Sequence, residues 1–85
     1  MDQNTRQILI KKLLYTSRNR GYREIEIILY NFAKMHLNNL CDEELLQFEN
    51  FLEKKDLDIF LWLVRGESAP RNLHLIIKKI LAHTQ

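Results

Sequence analysis

The sequence predicts an all-α fold, a single domain over residues 1–85 built from four or five short helices. Three observations carry this expectation. Apolar residues recur at three- and four-residue spacing along every long segment. No stretch sustains the two-residue alternation of a strand, and the β-branched residues fall inside helical stripes. Two glycines and one proline leave few interruptions and exclude collagen-like, linker and disordered classes.

The first helix covers residues 6–17, where Leu9 with Leu13 and Ile10 with Leu14 are each four apart and Lys11 and Lys12 can face away. Arg18, Asn19, Arg20 and Gly21 interrupt it, and Gly21 is the residue there that accepts positive φ freely. The longest periodic run is 22–38, with Ile25, Ile28, Leu29, Phe32, Met35 and Leu37 as its stripe; it predicts a helix about 25 Å long. Asn38 and Asn39 end it. A third helix opens at Cys41 or Asp42, with Glu43 and Glu44 in the first turn and Lys54 and Lys55 near the end, both favourable to the helix dipole. A short fourth helix starts at Asp56 or Asp58 and stops at Gly66. After Pro70, a last helix runs from Asn72 through Ile76, Ile77, Ile80 and Leu81.

At 85 residues, surface scaling gives about 5,300 Å² of folded surface, with roughly 64% of the unfolded surface removed from water. That supplies one thin core and no deep enclosed cofactor cavity. The single cysteine excludes an internal disulfide framework and fits a reducing compartment. No apolar run approaches the ~18–20 residues of a membrane span, so membrane insertion is not expected.

Net charge is only +2, but it is unevenly spread. Residues 1–23 hold six Lys/Arg against one acid, residues 24–67 four against ten, and residues 68–85 three against none. Such polarity can steer an oriented encounter with a partner. It equally fits terminal helices lying against an acidic middle. The basic N-terminal segment also has the character of a presequence or surface helix. Its removal would strip a helix from an already small core.

Catalytic chemistry finds little support. His36, His74, His83 and Cys41 show no HExxH or CxxC spacing; His36 and Cys41 could meet across a helix end, although an interfacial histidine and a capping or core cysteine explain them. Cys41 has no evident base beside it, and Glu43, Glu44, Asp56 and Asp58 stand at helix starts, where capping accounts for them. Gly21 and Gly66 alone cannot form a Rossmann or P-loop cradle. Thus no catalytic, metal-binding or cofactor-binding residue is assigned. A helix-turn-helix nucleic-acid binder is the alternative reading, from two helices around a glycine turn with Lys11, Lys12, Arg18, Arg20 and Arg23 close by. Glu24 and Glu26 in the first turns of the second helix oppose it, since they would face phosphates.

The most informative stretch is Arg18 to Glu26, RNRGYREIE. Glu24 falls in the first turn of the second helix, and Arg20 can project outward or fold back onto Glu24. In a purely local reading Gly21 makes the corner, Glu24 caps and Arg20 pairs with it. In a functional reading Arg20, Gly21 and Glu24 form a protruding docking edge, with Tyr22 beside them as an interface anchor.

Arg20-Gly21-Tyr22-Arg23-Glu24 resembles the RGxxE motif of the succinate dehydrogenase assembly factor family. The likeness extends through LLYTSRNRG, FAKMHLNNL, CDEELLQFENFLE and DLDIFLWLVRG, roughly residues 8–67. Cys41 is a departure, standing where many relatives have a serine before DEEL. The resemblance implies a compact five-helix bundle, cytoplasmic in bacteria, that acts as an assembly chaperone. It would bind the flavoprotein subunit of succinate dehydrogenase, and also that of fumarate reductase, and promote covalent attachment of FAD. FAD would be carried by that client, whose histidine is bonded to the 8α-methyl of the flavin. Carried over to this sequence, Arg20 and Glu24 are the implied partner contacts, Gly21 permits the turn and close approach, and Tyr22 and Arg23 occupy the variable middle. Trp62 matches a family tryptophan but sits among Phe60, Leu61 and Leu63, which assigns it to packing. Residues 68–85 receive no contact. The free protein is expected to be monomeric, with no nucleic acid partner.

Overall fold

A computed structural model describes residues 1–84. Five α-helices follow in order: α1 (Gln3–Arg18), α2 (Arg23–His36), α3 (Asp42–Leu52), α4 (Asp56–Leu63) and α5 (His74–Thr84). Single 3-10 turns at Leu37–Asn39 and Arg71–Leu73 lead into α3 and α5. The all-α, five-helix expectation is thus met. Helix α1 packs on α2 and α3, while α5 crosses α2, α3 and α4. The accessible surface is 5,576 Å², close to the scaling expectation.

The helical stripes converge on one core. Ile10 and Leu13 of α1 meet Ile25, Leu29 and Phe32 of α2, Leu45, Phe48 and Phe51 of α3, Ile59 of α4, and Ile76 and Ile80 of α5. Phe32 and Phe48 lie with ring centroids 5.4 Å apart. Trp62 is half-buried with its ring 6.1 Å from Phe51, a packing position. Met35, counted in the α2 stripe, is instead exposed, and Ala33 takes the buried place. At 3.6 residues per turn Met35 lies about 80° round the helix from Ile25, at the edge of the buried stripe, and beyond His36 the chain tightens into the 3-10 turn that buries Leu37.

Helix ends differ from expectation for identifiable reasons. Helix α1 starts earlier because the Asp2 carboxylate accepts the Thr5 backbone N–H at 2.7 Å. Helix α3 stops at Leu52, so Lys54 and Lys55 lie beyond it, and Lys55 is the N-cap of α4. Cys41 is exposed at the N-cap of α3, where its own N–H donates to Glu44 Oε1 at 3.0 Å. A cysteine suffices there because the carboxylate three residues on satisfies the cap amide. Gly66 is the one residue with positive φ among those described, at 73°, and lets the Glu67 N–H reach the Leu61 carbonyl at 3.0 Å.

The basic ends do lie against the acidic middle. Arg6 pairs with Asp42 at 2.7 Å, Lys12 with Glu49 at 2.9 Å and Lys79 with Glu44 at 3.1 Å. The Thr5 amide holds the Asp2 carboxyl below its ordinary pKa, and the Cys41 amide followed by Lys79 does the same for Glu44. The N-terminal ammonium and Arg6 lower Asp42 likewise. A carboxyl whose folded pKa is depressed stabilises the fold above its unfolded pKa and loses that contribution as pH falls through the folded value. The thermal midpoint should therefore be level from pH 7 to about 5 and fall below about pH 4. Asp2→Asn with Glu44→Gln should flatten that acid limb. A midpoint that stays level down to pH 3 in the unaltered protein would contradict the linkage.

Candidate functional site at the corner between the first two helices

The corner is built from both helix ends. Asn19 caps α1, its Nδ2 donating to the Tyr15 carbonyl at 2.8 Å. Tyr22 is the N-cap of α2 and offers no side-chain cap, so Glu24 and Glu26 in the first turn bring the negative charge that the dipole favours. Glu26 does more: its Oε1 accepts the Arg20 backbone N–H at 3.0 Å and folds the corner back on α2.

The Arg20 side chain turns inward. Its Nε and Nη2 lie 2.8 and 2.7 Å from Asp56 Oδ1, Nη1 donates to the Leu52 carbonyl at 2.8 Å, and Nη2 to the Lys54 carbonyl at 3.2 Å. Leu52 is the last residue of α3 and Asp56 the first of α4. The guanidinium thus sits on the negative end of one helix and the carboxylate on the positive end of the next, so each charge is stabilised twice. Only 7% of the Arg20 side chain remains exposed. A lysine could not serve here, because one ammonium has no planar fork to reach a carboxylate and two carbonyls together.

Gly21 is fixed by the same carboxylate, its N–H donating to Asp56 Oδ2 at 2.7 Å. Its φ is not positive, so the turn does not draw on glycine's left-handed freedom. The requirement is one of space: a Cβ at Gly21 would stand 2.9 Å from Asp56 Oδ2.

The predicted site residues therefore separate. The expectation that Arg20 projects outward or pairs with Glu24 is corrected: Arg20 belongs to Asp56, because two guanidinium N–H groups on one carboxylate oxygen, reinforced by the last carbonyl of α3 and that of Lys54, outweigh an exposed pair. Glu24 is exposed, and its carboxylate makes no hydrogen bond or ion pair among the described residues. Gly21 and Arg23 are exposed as well. Tyr22 is half-buried, its ring centre 5.1 Å from that of Phe60, and the Arg65 guanidinium lies over the Phe60 ring, 5.8 Å from its centre. Sequence reasoning missed Asp56 as the anchor of the corner; the available signal was its place at a helix start two residues before a second aspartate. His36 does not meet Cys41. Its Nε2 is 3.0 Å from His83 Nδ1, which ties the end of α2 to that of α5. Among the described residues no group of three or more His, Cys, Asp and Glu is placed to hold a metal, and no helix is long and apolar enough to cross a membrane.

A family model described as flavinator of succinate dehydrogenase matches residues 11–84, which include the whole corner and its anchor. The chain belongs to this family. Similar curated proteins include several called succinate dehydrogenase assembly factor 2, mitochondrial. That of Mycosarcoma maydis is 39% identical over 69 residues, 81% of this chain and 29% of the relative. That of Dictyostelium discoideum is 32% identical over 75 residues, covering 88% and 53%. That of Komagataella phaffii is 33% identical over 85 residues, covering 99% and 45%. The chain thus spans from under a third to about half the length of these assembly factors. No solved structure is significantly similar to it.

Because one carboxylate serves both Arg20 and Gly21, their energetics should be coupled. Asp56→Ala should destabilise the fold by about 2 kcal/mol, below the cost for a fully buried pair because 29% of the Asp56 side chain meets water. Gly21→Ala should cost about 1–2 kcal/mol alone, but under about 0.5 kcal/mol in the Asp56→Ala background. Urea unfolding followed by Trp62 fluorescence measures the cycle; strictly additive costs would show that Gly21 is not required by Asp56.

Proposed function

We propose that the protein is an assembly factor that binds the flavoprotein subunit of succinate dehydrogenase, and that of fumarate reductase, and promotes covalent attachment of FAD. The observation that carries this reading is the family match running through the corner, where Glu24 is exposed and unpaired beside a rigidly held Arg20–Gly21 step. The protein acts as a binding module and not as a catalyst, and FAD is carried by the client. In this reading it works as a monomer in the cytoplasm until it meets the flavoprotein.

The roles within the corner follow from burial. Glu24 and the open side of Gly21 make direct contact with the client, and Tyr22 and Arg23 border them. Arg20 acts as a positioning residue, since its fork is spent on Asp56, Leu52 and Lys54. A helper of this kind promotes bond formation by binding one arrangement of the client more tightly than others. Moving a client from 1:99 to 99:1 in favour of the competent arrangement takes about 5.5 kcal/mol of differential binding. A few buried contacts around a charged anchor supply energies of that order.

Covalent flavin fluorescence of the denatured flavoprotein subunit, after incubation with each variant, tests the assignment. Glu24→Ala should reduce stimulation at least fivefold and lower the thermal midpoint by no more than about 4 °C, as for loss of one exposed first-turn carboxylate outside the packed core. Arg20→Ala should lower both midpoint and stimulation, with stimulation recovering in part at a temperature where the variant is folded. Undiminished stimulation by Glu24→Ala would overturn the contact.

A further inference from the structure

The cations of this protein fall into two groups. Arg6, Lys12, Arg20 and Lys79 are paired with carboxylates. The other nine, Lys11, Arg18, Arg23, Lys34, Lys54, Lys55, Arg65, Arg71 and Lys78, have no carboxylate partner among the described residues, and the first four of them set one surface apart. Those four gather where α1 and α2 meet on the surface. There Lys11, Tyr15, Arg18 and Tyr30 line one open groove, and Arg18, Arg23 and Tyr30 line a second that continues it towards the corner. Lys34 lies 5.0 Å from the centre of the Tyr30 ring, and Arg18 lies 5.0 Å from the same centre. Tyr15 is 61% exposed.

Cation–π contact with Tyr30 accounts for where Arg18 and Lys34 lie, but no carboxylate neutralises them, and Arg23 occupies the first turn of α2, where the helix dipole disfavours a cation. The one acid lining the groove, Glu26, is engaged by the Arg20 amide. What remains is a cationic, tyrosine-lined strip, the composition of a protein-binding anchor for an acidic segment.

We infer that this groove takes an acidic stretch of the protein partner, laid along α1 and α2 next to the Gly21 corner. The inference rests on the partner-binding reading above and adds a second, charge-selected surface to it. Nucleic acid is the other polyanion to consider. A strand binder stacks bases on open aromatic faces, whereas the Tyr30 ring already carries Arg18 and Lys34.

The experiment measures binding of the flavoprotein subunit of succinate dehydrogenase to the immobilised full chain at 50 and 300 mM NaCl. Arg18→Glu with Lys34→Glu should weaken binding at least tenfold at low salt and remove most of its salt dependence. Arg18→Gln with Lys34→Gln should fall between. Lys78→Glu, on α5, should change it less than twofold. Helical circular dichroism of each variant verifies the fold. A benzoylphenylalanine photocrosslinker at position 15 should join a client segment holding at least three Asp or Glu within ten residues. Binding that survives the charge reversals, or a crosslink to a neutral or basic segment, overturns this inference alone. A twelve-residue oligothymidine that binds more tightly than the flavoprotein, and loses affinity on the same reversals, overturns it in favour of nucleic acid. No binding by the unaltered chain overturns the partner assignment as well.

Discussion

One carboxylate holds the two halves of the bundle in register. Asp56 receives the Arg20 guanidinium on one oxygen and the Gly21 amide on the other, while Arg20 reaches on to the final carbonyl of α3. The α1–α2 corner is thereby fastened to the α3–α4 junction by groups that the helix termini would otherwise leave unsatisfied. An arginine buried to this degree is destabilising if its partner is removed, so Arg20, Gly21 and Asp56 form a unit in which each residue constrains the other two. The family motif read in isolation contains only two of the three.

The same logic organises the charges elsewhere. Basic segments at both ends of the chain settle on the acidic centre through Arg6, Lys12 and Lys79, whose partners Asp42, Glu49 and Glu44 all lie on α3. Exposed pairs of this kind each contribute little to stability, yet together they orient α1 and α5 on α3 while the core supplies most of the cohesion. Along the α1–α2 groove no carboxylate neutralises the cations, and Arg18 and Lys34 lie instead on the Tyr30 ring. Internal neutralisation and an outward-facing field therefore coexist in one small protein.

Much of the architecture was legible because local and global signals agree. Ile10 with Leu13, Ile25 with Leu29 and Phe32, and Ile76 with Ile80 fall at helical spacing and are all buried. The edges of a stripe and the helix boundaries were less legible: Met35 falls at helical spacing yet lies at the rim of the buried face, and the tightening at Leu37–Asn39 leaves no mark in periodicity. The site was legible as a place and not as a geometry. Arg20, Gly21 and Glu24 were readable from spacing and resemblance, but whether an arginine faces water or a carboxylate depends on what the fold brings alongside. Asp56, some thirty-five residues away, was readable only as a helix start. Gly21 likewise suggested an unusual backbone angle, when the constraint is the proximity of Asp56 Oδ2.

The inward turn of Arg20 has a consequence for association kinetics and entropy. An arginine that reaches for a partner from solution must surrender about 2 kcal/mol of rotamer freedom when it docks. Here that loss is incurred on folding, and the Gly21 amide is equally immobilised before any encounter. A molecule approaching the corner meets a preorganised contour in which Glu24 is the main side chain left to order. Recognition there can proceed by shape matching with little rearrangement, and a change that loosens the anchor would weaken binding by softening that contour, even with every exposed atom retained.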